Sequence, residues 1–238
     1  AGSCRSRPVQ QPRPAYDSPV SERSPAVEDY LETIYELEES GIPPMRARLV
    51  ERLGVSAPTV SETVARLIRE GYLTLDVQRV LRLTEHGRLA ATAVMRRHRL
   101  AERLLVDILR VPWHQVHEEA HRLEHAISET LEPYLVKALG DPGTCPHGNP
   151  IPGSVNLVDT SNQVALTTLT TGESAVVRRI DEEIEAQPAA MVELERQLLM
   201  PGHGVTVVGS DGADLLLRSD MGDARLPVAI ADKVYASR

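Results

Sequence analysis

The chain has 238 residues, 42% of them hydrophobic and 25% charged, with no Phe, one Trp and a formal net charge of −8. That length can bury the cores of one to three small domains, packed mainly with Leu, Val, Ile and Ala. No apolar run approaches the ~20 residues that span a bilayer, no apolar N-terminal segment reads as a signal peptide, and two distant cysteines, Cys4 and Cys145, give no disulfide framework. A reducing cytoplasm fits this cysteine usage. The charge is uneven. Residues 46–110 carry 13 Arg against 7 Asp or Glu, whereas residues 112–238 carry 9 Lys or Arg against 19 acids. A basic middle in an acidic chain is what attracts phosphates.

Residues 1–24, rich in Pro, Ser, Arg and Gln, read as a disordered tail. A helical pattern opens near Pro25, with Val27, Leu31, Ile34 and Leu37 recurring at three and four, and Gly41-Ile-Pro-Pro44 ends it. Arg46–Leu53 is a short amphipathic helix. After the turn Gly54-Val-Ser56, Ser56 caps a helix running from Pro58 to Glu70 with Val60, Val64, Leu67 and Ile68 inward. Two helices across a short Gly-containing turn form a helix-turn-helix. Tyr72–Leu83 alternates as a hairpin with Arg79 near its tip, which makes the motif winged.

Residues 84–110 and 113–139 read as two long amphipathic helices. Leu100, Leu104, Leu105, Ile108 and Leu109 give the first a surplus apolar face, expected to form a dimer that suits a two-fold DNA site. Asp141–Gly153 is a linker or ordered loop. Strands are expected at 174–180, 204–209, 214–218 and 226–230, with a helix at 189–200, together a small β-barrel.

The second long helix carries His117, His121, Glu124 and His125 at spacings of four, three and one. At ~100° per residue these fall within roughly a third of the helix circumference. Three imidazoles and a carboxylate on one stripe suit a first-row divalent metal. His98 and Glu102, at i and i+4, repeat the pattern one helix earlier. A rival reading takes His117-Glu118-x-x-His121 as the zinc hydrolase pattern, with Glu118 activating water. The neighbouring helix-turn-helix supplies no substrate cleft for it, and the pair Glu124-His125 is surplus to it. His86, His114, His147 and His203 are read as non-ligands, and Cys145 beside His147 as a weak thiolate signal.

Several blocks together resemble the diphtheria toxin repressor family of metal-dependent transcriptional regulators, which includes iron- and manganese-responsive members. They are Tyr30-Leu-Glu-Thr-Ile-Tyr-Glu-Leu-Glu38, Ser56–Arg66, Ala93–Leu105, the His117–His125 run and Gly148-Asn-Pro-Ile-Pro-Gly153. The resemblance covers about 25–153 closely and extends, more weakly, to a C-terminal SH3-like barrel. It implies an α+β protein: a winged helix-turn-helix over 25–92, an all-α dimerisation and metal-binding domain over 93–153, and an SH3-like (FeoA-type) barrel over 164–238. It also implies two metal sites per subunit, a primary one from Asp29, Glu32, His121, Glu124 and His125 and an ancillary one from His98, Glu102 and His117. Ser56, Pro58, Thr59, Ser61 and Glu62 would face the major groove, with Arg46, Arg66, Arg69 and Arg79 on phosphates.

Iron-responsive members carry Met and Cys where this chain has Asp29 and His121. Manganese-responsive members carry Asp and Glu there, with a Glu one turn later that Glu32 matches. Carboxylate and imidazole in place of sulfur favour Mn²⁺, with Fe²⁺ the alternative. A barrel ligand would come from Glu185 or Gln187. The expectation is a cytoplasmic, homodimeric, non-enzymatic, metal-activated repressor, acting on a pseudo-palindromic double-stranded operator with no membrane or small-molecule substrate as partner.

Overall fold

The computed structural model describes residues 24–238, so the expected tail and Cys4 lie outside the described residues. Helix α1 (Pro25–Glu39) starts with Pro in its first turn and buries Val27, Leu31, Ile34 and Leu37. Helix α2 (Arg46–Leu53) ends at Gly54, which adopts a left-handed φ of 64°. Helix α3 (Ala57–Arg69) is capped by Ser56, whose side chain accepts from the Thr59 amide at 3.3 Å. Strands β1 (Leu73–Leu75) and β2 (Leu81–Leu83) pair antiparallel as the wing. Asp76 Oδ1 accepts from the amides of Gln78 and Val80, both at 2.9 Å, and so shapes the tip where Arg79 has φ 63°. One core joins these elements: Tyr30, Leu31, Ile34, Leu49, Val64, Leu67, Leu81 and Ala91 are buried together.

Helix α4 (Glu85–Arg103) is capped by Thr84, and Gly87 in its first turn is pressed against the hairpin: a Cβ there would meet the Tyr72 carbonyl oxygen at 2.0 Å. The helix runs on into a π-helical turn, Leu104–Ile108. That wider turn rotates the side chains that follow it. Leu100, before this turn, and Leu105, within it, lie in the chain's own core, not on the expected dimer face, while Ile108 and Leu109 remain exposed, as do Leu131 and Tyr134.

The second helix is not continuous. Helix α5 (Val116–Leu123), flanked by short 3₁₀ turns, stops at Ile127, whose backbone is extended. Helix α6 (Glu132–Leu139) restarts with Pro133 in its first turn. Proline cannot continue a helix because it has no amide hydrogen, and Ser128 Oγ instead accepts from the Leu131 amide at 3.2 Å.

The C-terminal part is a six-stranded antiparallel sheet, β3 (Val164–Ala165), β4 (Ser174–Ile180), β5 (Gly204–Ser210), β6 (Asp214–Ser219), β7 (Gly222–Pro227) and β8 (Val234–Ser237), in the order β3-β8-β4-β5-β6-β7. Between β4 and β5 lie helix α7 (Glu182–Glu185) and helix α8 (Pro188–Arg196). The strand expected at 226–230 ends at Pro227. Val228–Ala231 is a helical turn, α9, leading into β8. Trp113 reaches into this sheet's core. Among the described residues no helix is long and apolar enough to cross a membrane.

Candidate metal centre

Asp29 and Glu32 on α1, His98 and Glu102 on α4, and His117, His121, Glu124 and His125 on or just after α5 converge between the three helices. Their ligand atoms form overlapping groups, each within 4.8 Å: Asp29, Glu124 and His125; Glu32, His98, His121 and Glu124; His98, Glu102 and His117; and Glu102, Cys145 and His147. Glu124, fully buried, joins the first two groups, with Oε2 2.6 Å from His98 Nδ1 and Oε1 3.3 Å from His121 Nδ1 and 3.4 Å from His125 Nε2. His98 then links this half to Glu102, 3.5 Å from its Nε2. The expected division into two ligand sets thus becomes one continuous chain of donors, with His98 near Glu32 and Glu124 as well as Glu102.

Two further side chains belong to it against expectation. His147 Nδ1 lies 3.1 Å from Glu102 and 2.8 Å from Glu185. Its Nε2 faces the Trp113 carbonyl at 3.3 Å, which leaves Nδ1 for the cluster. Cys145 is buried next to it. The loop carrying both is held to β4: the Ile180 amide donates to the His147 carbonyl at 2.8 Å, and a Cβ on Gly148 would strike the Arg178 carbonyl oxygen at 1.9 Å. Glu185 reaches the cluster from the barrel side, 3.4 Å from His117 Nδ1. Gln187 does not: its side chain donates to the Glu183 carbonyl at the surface. His86 stacks on Tyr72, His114 pairs with Glu195, and His203 faces Asp220 at the surface, so none of these three joins the cluster.

Glu28 completes the other end. It accepts from Arg97 at 2.7 Å and contacts His125 Nδ1 at 2.8 Å, turning His125 Nε2 toward Asp29 at 3.0 Å. A sequence signal existed for the Cys145-x-His147 pair. For Glu28 there was none, because acidic first turns are common on helices.

The donor set fits divalent cations. Both oxygens of Glu32 and of Glu102, one each of Asp29, Glu124 and Glu185, and ring nitrogens of His98, His117 and His147 are buried without a hydrogen-bond partner. Buried polar atoms are otherwise almost always satisfied. Donor separations of about 3 Å are also what ligands held at roughly 2.0–2.2 Å from one ion adopt. Without a cation the excess negative charge is met by protons. Contacts with Glu124 and Glu32 raise His121 to about 10, and contacts with Asp29 and Glu28 do the same for His125. Burial opposes protonation of His117, yet Glu102 and Glu185 raise it to about 9. Burial, then the charge of Glu124, pushes Glu32 up to about 7. Burial, then the charge of Glu102, pushes the Cys145 thiol up to about 12. A cavity of about 590 Å³, lined in part by Glu32, Glu36, His117, His121 and Glu185, opens beside the cluster.

The hydrolase geometry is not formed. His117 faces Glu102 and Glu185, His121 faces Glu32, and Glu118 is an exposed partner of Arg122. In the reading head, Ser56, Pro58, Thr59, Ser61 and Glu62 line the exposed start of α3; Arg69 and Arg79 are exposed, and Arg46 and Arg66 half-buried.

Comparison with known proteins agrees with this layout. A family described as iron-dependent repressor, N-terminal DNA-binding domain, matches residues 23–81. A second, described as iron-dependent repressor, metal-binding and dimerisation domain, matches 84–153. The iron-dependent repressor IdeR of Mycobacterium tuberculosis is 46% identical over 207 residues, covering 83% of this chain and 90% of that protein. The diphtheria toxin repressor of Corynebacterium diphtheriae is 56% identical over 126 residues, 53% of this chain and 56% of that protein. A manganese-dependent transcriptional repressor in complex with manganese superposes with a TM-score of 0.79 at 32% identity, covering 89% of this chain and 99% of that one. The relatives are repressors, not enzymes, which sets the hydrolase reading aside. The chain belongs to the diphtheria toxin repressor family of metal-dependent transcriptional repressors.

Proposed function

We propose that this chain is a manganese(II)-activated repressor of metal-uptake genes, acting in the cytoplasm as a homodimer on a pseudo-palindromic operator. The observation that carries the manganese assignment is the donor set between α1 and α5. Asp29, Glu32, His98, His121, Glu124 and His125 offer only carboxylate oxygen and imidazole nitrogen, with no sulfur. Carboxylate oxygen suits Mn²⁺, imidazole serves Fe²⁺ as well, and these six residues include no thiolate to favour softer ions. Asp29, Glu32, His121, Glu124 and His125 would form the primary site with His98 at its edge. Glu102 and His117, with His98, would form the ancillary one, joined by Cys145, His147 and Glu185. A bound ion supplies the positive charge that these buried carboxylates lack.

The rest follows from the helices. Asp29 and Glu32 belong to α1, whose opposite side packs in the core of the reading head with α3. His121 and Glu124 belong to the helical part that carries the exposed Ile108 and Leu109. Drawing the two sets together fixes the reading head relative to the dimer face, and so the separation of the two α3 helices. This is a population shift, since the ion must bind the DNA-competent arrangement more tightly than others. At the DNA, Ser56, Pro58, Thr59, Ser61 and Glu62 would face base edges, and Arg46, Arg66, Arg69 and Arg79 phosphates.

A second reading, iron(II) activation, is favoured by the 46% identity to an iron-dependent repressor. Measuring operator binding in separate anaerobic titrations of Mn²⁺ and Fe²⁺ tests the two. Activation by Fe²⁺ at equal or lower free concentration would replace the manganese assignment.

A further inference from the structure

A short segment of the barrel touches the reading head. Asp181 caps α7 and accepts from Ser40 Oγ, at the end of α1, with both carboxylate oxygens at 3.1 Å. Two residues on, Glu183 Oε2 lies 3.4 Å from Arg52 Nη2 and 3.2 Å from Lys233 Nζ. Arg52 stands in the last turn of α2, directly before the Gly54 turn into α3, and its other nitrogen lies 3.9 Å from Glu36 of α1. Two other residues of the same segment face inward. Glu182 holds the fully buried Arg99 at 2.7 Å, and Glu185 meets His117 and His147 in the donor chain.

From this division of contacts we infer that α7 and its cap are a latch between the barrel-side half of the metal centre and the reading head. Asp181–Ser40 and Glu183–Arg52 are its grips. The barrel would then do more than complete a ligand set. Ordering Glu185 and Glu182 on the inner face orders Asp181 and Glu183 on the outer face, because four residues of one helical turn cannot move independently. Asp181 holds the end of α1 and Glu183 the end of α2, and together they set the start of α3. This rests on the metal-activated reading above.

The test uses the full-length dimer with Ser40→Ala and Glu183→Ala combined, both at partly exposed positions outside the donor cluster. The variant is first matched to wild type in thermal melting. Mn²⁺ stoichiometry and affinity should be unchanged, while the Mn²⁺-dependent gain in operator affinity falls about tenfold, within the usual range of coupling between sites. Amide hydrogen exchange gives a separate readout: Mn²⁺ should protect α7 and α2 in wild type but only α7 in the variant. Glu183→Asp should restore part of the α2 protection. A full Mn²⁺-dependent gain with undiminished α2 protection in the variant would overturn the latch. If wild type itself gains no DNA affinity with Mn²⁺, the functional reading fails instead. The exchange measurement then decides the latch alone: protection of α2 that persists in the variant refutes it, and protection lost only there supports it.

Discussion

Glu124→Gln is the most informative single change in the metal centre. The substitution keeps the shape of the side chain and removes one negative charge. Glu124 is fully buried and faces His98, His121 and His125 at 2.6, 3.3 and 3.4 Å. Those contacts, working against burial, hold its carboxyl below the ordinary carboxylate range. Removing one member of a buried charge pair costs about 3–5 kcal/mol. At about 1.4 kcal/mol per factor of ten, Mn²⁺ affinity should fall roughly 100- to 4,000-fold. Because Glu124 belongs to both the Asp29–His125 group and the Glu32–His98 group, both should weaken together. Asp29→Asn, which changes a partly exposed ligand of the same primary site, should weaken it less. The assay is titration of free Mn²⁺ by electron paramagnetic resonance at fixed pH, with operator binding measured in parallel. A loss below tenfold for Glu124→Gln, or a larger loss for Asp29→Asn than for Glu124→Gln, would refute the shared-ligand geometry.

His147→Ala should abolish Mn²⁺ binding at the barrel-side group while leaving the Asp29–His125 group intact, so that one step of a two-step isotherm disappears; loss of both steps would contradict the arrangement. Metal affinity should rise with pH between about 6.5 and 10, because bound ions must displace the protons on His117, His121 and His125, with calorimetry in buffers of different ionisation enthalpy counting the protons released. For the metal-free protein the sign is opposite. Histidines raised above their unfolded value of 6.5 contribute stability that is present below 6.5 and lost as pH rises toward about 10; Glu32, raised from 4.5 to about 7, has the same sign but loses its contribution earlier, between about 4.5 and 7. The melting temperature of the metal-free protein should therefore fall over that window, and a flat profile would show that these protons do not hold the cluster together. Leu109→Asp, on the exposed apolar face, should shift sedimentation toward monomer and weaken operator binding without changing helix content. Arg79→Ala at the wing tip should weaken binding to specific and non-specific DNA alike and reduce the salt slope by about one, whereas loss at one base position only would give Arg79 a base-reading role.

The reading head and the histidine stripe were legible because both are periodic. Ser56 and Thr84 announce helix starts, Gly54 a stop, and His117, His121, Glu124 and His125 declare a face whatever the surrounding fold. What escaped depended on contacts distant in sequence or on local backbone. His147 meets Glu102 and Glu185, both about forty residues away, from a loop with no period to read. Arg97 and Glu28 orient His125 across 69 and 97 residues. The π-helical turn at Leu104–Ile108 changed the phase of the apolar face, with Leu105, within it, inward and Leu109, after it, outward. Pro133 divided one expected helix into α5 and α6, and Val228–Ala231 curled into a turn although its residues favour strand as readily as helix.

The decisive measurement is fluorescence anisotropy on a promoter duplex from upstream of a manganese-transport gene of the same genome. Mn²⁺, Fe²⁺ and Zn²⁺ are titrated separately, without oxygen and at fixed salt, since salt alone moves these affinities. Without metal there should be no specific binding, and binding should be tight at low free Mn²⁺, with Fe²⁺ needed at higher concentration. Equally tight binding in the presence of a chelator would contradict it, because the buried carboxylates between α1 and α5 would then have no role in bringing the reading heads to DNA.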